Sequence, residues 1–212
     1  IVAADHGSTA AGIIPLAPTP AERGQTNLAA SVTHIPLIVS WPGRIKPGQR
    51  LSQPVSLIDL LPTILDLTGL PGPELAQGRS FAPLLMGRAG WGERPVILDE
   101  FSVRPDTGEV YGTIDVIDGR WGASLKIGRG PWEDNGKPGP PRLAPLLLYD
   151  LWNDPQCLRS LHEGRPELVR KYAEFLEDQF RQHRSLAKKF TRTAEAPLNP
   201  EQIDTLRSLG YI

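Results

Sequence analysis

Ile1-Val2-Ala3-Ala4-Asp5-His6-Gly7 is the stretch around which the rest of the chain is organised. Its short apolar run ends in an acid, an imidazole and a glycine, the pattern expected where a buried parallel strand of an α/β layer stops at a site. A carboxylate beside an imidazole suits a divalent metal such as calcium, manganese or zinc. Successive strand residues face opposite ways, so Asp5 and His6 reach one ion only if the strand is already turning at Asp5. Gly7 gives the backbone the freedom for that exit. The same residues leave a second reading open, in which Asp5 caps the following turn and His6 is a half-buried structural histidine.

Downstream, the small, polar and proline-broken residues 8–27 read as a loop over the strand's carboxyl edge. Ile35 and Leu37 to Val39 predict a second buried strand, with Pro36 near its start or edge, and Trp41-Pro42-Gly43 ends it. Residues 44–53 read as a polar crossover. A helix is expected to begin near Ser56 or Asp59, with Pro62 in its first turn, a buried face of Leu60, Leu61, Ile64, Leu65 and Leu67, and a left-handed stop at Gly69. Strand, crossover and helix together form one unit of an α/β layer.

Residues 71–95 read as a connector with a short apolar turn from Phe81 to Met86. Extended runs follow at 96–101, 112–117, 120–127 and 146–151. An Asp118-Gly119 hairpin signal and a glycine-proline loop at 128–145 join them, which predicts a small antiparallel sheet. A helix over 166–182 repeats Val169, Tyr172, Leu176 and Phe180 at helical spacing, enough to cover one face of that sheet. Near the C-terminus Asn199 caps a helix with Pro200 first, Gln202 completes a capping box and Gly210 terminates it. The reading divides the chain at about residue 90, into an α/β part over 1–90 and a smaller antiparallel part with helices over 91–212.

Composition bounds the function. The 212 residues carry 23 basic and 24 acidic side chains, a net charge of -1, which offers no field for a polyanion and excludes nucleic acid as the expected partner. With 40% hydrophobic residues a core can form, while 21 glycines and 22 prolines predict many turns and long connections. Cys157 is the single cysteine, so no disulfide forms within the chain. No apolar run approaches the roughly 20 residues that span a bilayer, and no signal-peptide pattern is read. The chain starts inside an apparent core strand, which reads as a truncated beginning, whereas the capped last helix reads as a finished end.

Asp5-His6-Gly7, Thr33-His34-Ile35-Pro36-Leu37-Ile38-Val39, Trp41-Pro42-Gly43, Asp59 to Leu70, Leu148-Tyr149-Asp150-Leu151, Asn153-Asp154-Pro155 and Leu206 to Ile212 fall in one order. In that order they resemble the C-terminal half of the sulfatase family, within the alkaline-phosphatase-like superfamily. The resemblance implies a partial alkaline-phosphatase-like sheet layer followed by a short antiparallel-sheet subdomain with a packed helix. It implies that Asp5 and His6 coordinate a divalent metal, calcium first, with manganese or zinc as alternatives, and that the missing N-terminal half supplies the other ligands. His34 falls where family members carry His or Arg; it either contacts a substrate oxygen or bonds a backbone carbonyl. Where sulfatases place a sulfate-binding lysine this chain has Gln25, with Arg23 close by, and only Arg23 brings charge.

The nucleophile motif that sulfatases convert to formylglycine has no match. Cys157 is followed by Leu158, Arg159 and Ser160 and lacks the required proline, so no catalytic residue is assigned within this chain. The implied activity is hydrolysis of a sulfate ester, on a small molecule or a sulfated glycan, with these residues inactive by themselves. The neutral Gln25 keeps a phosphate or phosphonate ester open, and a non-catalytic binding module on the same scaffold is the reading from another class. The family suggests a periplasmic or secreted setting. Trp132-Glu133-Asp134-Asn135 reads as a solvated loop tip before a sugar contact, and the basic run from Arg181 to Arg192 as a solvated helix end and linker.

Overall fold

A computed structural model of the chain describes residues 1–5, 7, 28–89, 91–92, 94–104, 106–128, 146–190 and 199–208. They fall in two compact units, Ile1–Glu177 and Asp178–Ile212.

In the first unit the alternating apolar segments form an antiparallel meander. Strands β3 (Val96–Val103), β4 (Val110–Asp118), β5 (Trp121–Ile127) and β6 (Leu147–Asp150) lie side by side in that order. Asp118 pairs with Trp121, so the hairpin between β4 and β5 is a two-residue loop of Gly119 and Arg120. Gly119 supplies the positive φ of 59° that such a tight loop needs, which is the physical content of the Asp-Gly signal. Ile114, Val116, Ala123 and Leu148 are completely buried at the centre of the sheet. Helix α4 (Pro166–Ala187), which belongs to this unit as far as Glu177, opens on proline and buries Tyr172 and Leu176, as its spacing predicted. Its attachment is polar as well: the Tyr172 hydroxyl and Lys171 Nζ both donate to Asp118 Oδ2 at 2.9 Å, at the end of β4.

The N-terminal elements depart from expectation in two respects. β1 (Val2–Ala3) pairs with β2 (Leu37–Ile38), but antiparallel, with Val2 opposite Ile38 and Ala3 opposite Leu37. The expected burial is also missing: Val2 is 64% exposed, and Ile1 and Ile38 are open as well. Hydrophobicity records what a segment is able to bury. Which strand lies beside it, and in which direction, is settled by tertiary pairing, and the described residues place no third strand on this ladder.

Helix α2 (Leu60–Thr68) follows a single 3-10 turn, Leu57–Asp59. Its end matches the expectation: Gly69 is left-handed at φ 72°, its N–H bonds Asp66 O and the Leu70 N–H bonds Leu65 O, a Schellman stop. Its burial does not. Leu61 is 53% exposed and Leu57, Ile58 and Ile64 are exposed with it, whereas Asp59 and Thr63 are fully buried.

The reason lies in hydrogen bonding. Asp59 accepts from the Ser56 N–H at 2.9 Å and the Arg79 N–H at 2.7 Å, and pairs with the Arg94 guanidinium. Thr63 donates to Asp59 O at 2.6 Å and accepts from the Phe81 N–H at 2.9 Å. These bonds turn the polar side of α2 toward the connector and satisfy donors that would otherwise be buried unpaired. They also fix α3 (Ala82–Leu85), where Phe81, Ala82 and Leu85 form a small apolar core and Phe81 meets Trp91 edge-on at 6.5 Å.

In the second unit α5 (Pro200–Ser208) carries the expected capping box: Gln202 N–H donates to Asn199 Oδ1 at 2.8 Å, and Asn199 N–H to Gln202 Oε1 at 3.0 Å. Gly210, its expected stop, lies outside the described residues.

Candidate functional site

Asp5 stands two residues beyond β1, and its position is set by what comes after it. The Gly7 N–H donates to Val32 O at 2.8 Å, laying the exit of the strand against α1 (Ala30–Thr33). A Cβ on residue 7 would sit 1.8 Å from Ser31 O. Glycine is therefore required here by close backbone approach, not by the turning freedom that the sequence suggested. α1 is anchored in turn, since Ala30 N–H donates to Pro155 O at 2.7 Å and Thr33 Oγ1 to Leu28 O and Ala29 O at 3.3 Å. The asparagine-aspartate-proline turn near residue 155 thus supports the segment on which the motif rests.

His34 closes α1, its N–H donating to Ala30 O at 3.0 Å, and its side chain is exposed. Asp5, Gly7 and His34 all line one broad open cleft of about 1960 Å³, with β2 and the residues after it on the adjoining wall. This volume exceeds the several hundred Å³ of an ordinary small-molecule pocket. His6, Arg23 and Gln25 lie outside the described residues, as does the Trp132 to Asn135 tip.

Two basic residues, Lys46 and Arg50, line the same cleft. The loop bearing them is fixed by Gln49, whose Nε2 donates to Lys46 O at 3.0 Å and to Leu85 O at 3.1 Å, and by Gly48 at φ 73°. Reading residues 44–53 as a mere crossover passed over them. A signal was present: Arg44, Lys46 and Arg50 stand in a run from Trp41 to Ile58 that contains no acid. On the β3 side, Asp99 and Glu100 supply negative charge to the cleft.

The carboxylate of Asp5 is a hard oxygen donor of the kind calcium or manganese takes. Among the described residues no three of His, Cys, Asp and Glu converge to hold an ion. Asp5 thus fits a metal as one member of a donor set and does not form a site by itself. Cys157 is half-buried, and burial first, then the charges of Asp154 and Asp115, push its thiol up to about 12. It is a thiol, not a thiolate, at neutral pH, which agrees with leaving it out of the chemistry.

Residues 28–116 match the family model described as N-sulphoglucosamine sulphohydrolase, C-terminal. Over 141 residues the chain is 32% identical to arylsulfatase K of Xenopus laevis, an alignment that covers 66% of this chain and 24% of that protein. Among solved structures, a sulfatase-like protein of Bacteroides thetaiotaomicron superposes with a TM-score of 0.57 at 22% identity, covering 79% of this chain and 34% of the other. A phosphonate monoester hydrolase of Silicibacter pomeroyi gives 0.50 at 23% identity, covering 84% of this chain and 34% of that one. At such identities the superpositions establish the shared fold. The chain spans about a quarter of the arylsulfatase K length. Among the described residues no helix is long and apolar enough to cross a membrane.

Proposed function

We propose that the chain, which matches a sulfatase C-terminal family model over residues 28–116 and is similar to arylsulfatase K, is the C-terminal portion of a metal-dependent hydrolase of sulfate esters within the alkaline-phosphatase-like superfamily. The observation that carries this reading is that Asp5 and His34 line one cleft together with Lys46 and Arg50 of the fixed cationic loop. Asp5 and His6 would hold a divalent metal, calcium before manganese or zinc. A divalent cation bound there supplies Lewis acidity toward an ester oxygen. Lys46 and Arg50 add the positive charge that Gln25 lacks, so a sulfate group on a small molecule or glycan is attracted from the loop side.

The nucleophile and the remaining metal ligands belong, in this reading, to a preceding part of the same protein, and these 212 residues are inactive alone. The exposed apolar side chains of Val2, Leu61 and Ile64, which lie outside the cleft, support it, since apolar surface of this kind is normally covered by a further layer. Residues 1–90 would then continue the catalytic α/β domain and 91–212 form its C-terminal subdomain.

The test is made on the full-length protein. Asp5→Asn is expected to abolish calcium binding by titration calorimetry and hydrolysis of an aryl sulfate together, by at least about 100-fold in kcat/KM. Full turnover in that variant, or hydrolysis by the isolated 212 residues, overturns the reading. The second reading, a phosphate or phosphonate ester, is favoured by the neutral Gln25 and predicts faster turnover of an aryl phosphate than of the sulfate. A full-length protein that neither binds metal nor turns over either ester is a non-catalytic binding module.

A further inference from the structure

We propose that the end of the four-stranded sheet carrying Arg120 and Trp152 is a saccharide-stacking subsite, separate from the cleft. Trp152 is 75% exposed, an unusual state for an indole. Its setting is fixed. The turn that carries it is closed by Asn153 N–H to Asp150 O at 3.0 Å and Asp154 N–H to Asp150 O at 2.7 Å, and it is stitched to the neighbouring hairpin by Leu151 N–H to Arg120 O at 2.8 Å.

Arg120 lies between two indoles, its Cζ 5.1 Å from the Trp121 ring centre and 5.8 Å from that of Trp152. Its Nη2 pairs with Asp150 Oδ2, which also accepts from Asn153 Nδ2 at 2.8 Å. The Arg120 side chain is 42% exposed, and among the described residues its guanidinium bond is the one from Nη2 to Asp150. An open aromatic face, guanidinium donors and a side-chain amide are thus held together on a rigid corner, with no residue of it shared with the cleft.

The chemistry selects a pyranose ring. The C–H bonds on one face of a sugar carry partial positive charge and stack on the electron-rich face of indole, while equatorial hydroxyls reach donors at the ring edge. The charge of Arg120 is already balanced by Asp150, so the corner reads hydroxyls and shape rather than attracting sulfate. A protein partner fits less well. A stable protein interface buries about 800 Å² per side around several apolar anchors, whereas this corner offers two indoles held about one charged side chain, Arg120. The inference does not rest on the chemistry of the cleft, because binding here needs neither metal nor turnover.

The test uses the full-length protein and chondroitin hexasaccharides, sulfated and chemically desulfated, followed by tryptophan fluorescence. Both forms are expected to bind within about threefold of each other and to hold that affinity between 0.05 and 0.5 M salt, about half a Debye decade of screening that would erase a charge-driven contact. Trp152→Ala is expected to weaken both by about tenfold, and Trp152→Phe, which keeps a smaller ring, by less. Asp5→Asn, which acts on the cleft, should bind the desulfated probe like the wild type, so failure of the hydrolase reading leaves this result intact. Absence of binding to the desulfated probe, wild-type affinity in both Trp152 variants, or loss of binding at high salt overturns the proposal.

Discussion

Gly7→Ala is the substitution on which the geometry of the motif makes its sharpest statement. The new methyl group would lie 1.8 Å from Ser31 O, 2.7 Å from Ser31 C and 3.0 Å from Val32 Cα, all backbone atoms that no rotamer change can clear. Recovering the 3.4 Å at which ordinary contact begins takes a displacement of about 1.6 Å between the strand exit and α1. The bond from Gly7 N–H to Val32 O, now 2.8 Å, cannot survive that shift unchanged. Overpacking of this kind costs about 1–3 kcal/mol. Asp5 is two residues away on the same backbone, and a misplacement of about 1 Å at a reacting centre is worth about 100-fold in rate.

In the full-length protein, Gly7→Ala should therefore lower kcat/KM for an aryl sulfate by about 100-fold and weaken calcium binding, while the fold persists at reduced stability. Gly72→Ala is the control: its added Cβ meets nothing within 4 Å and its φ is not positive, so both activity and stability should be preserved. A Gly7→Ala protein with wild-type melting temperature and kcat/KM within about twofold would refute the argument that close backbone approach positions Asp5.

Three other outcomes follow from the structure. Asp59→Ala leaves the Arg94 guanidinium and the Ser56 and Arg79 N–H groups without their buried acceptor, and should cost about 3–5 kcal/mol in urea unfolding; a loss under about 1 kcal/mol would show that water replaces it. At Asp118, burial pushes the carboxyl up but the bonds from Lys171 and Tyr172 outweigh it and hold it below its ordinary 3.8, so its stabilisation is present above that value and fades as pH falls through the lowered one. The bond to Asp118 raises Lys171 above 10.5, and burial first, then Asp118, raises Tyr172 above 10.0; their stabilisation is complete below those values and is lost as pH rises through the raised ones. Melting temperature against pH should accordingly have a shallower acid slope and a shallower alkaline slope in Asp118→Asn than in wild type, the burial of Tyr172 leaving part of the alkaline slope in place, and unchanged slopes would remove this cluster from the account. Cys157, with its thiol near 12, should resist iodoacetamide at pH 8 in the native protein and react on unfolding; rapid native labelling would contradict its burial.

The sequence alone determined the local elements, because their causes are local. The two-residue hairpin at Gly119, the left-handed stop at Gly69, the reciprocal cap of Asn199 and Gln202 and the buried face of α4 each depend on residues a few positions apart, and each was legible. The order of motifs was likewise enough to point to the sulfatases that the chain proves similar to. Tertiary structure alone decided three things. The direction of the β1–β2 pairing was one, and the exposure of the apolar side of α2 was another, because a buried acid with three donors to satisfy outweighed a row of leucines. The third was the gathering of Asp5, His34, Lys46 and Arg50 on one cleft, since residues more than forty positions apart become neighbours only through packing that no local pattern encodes.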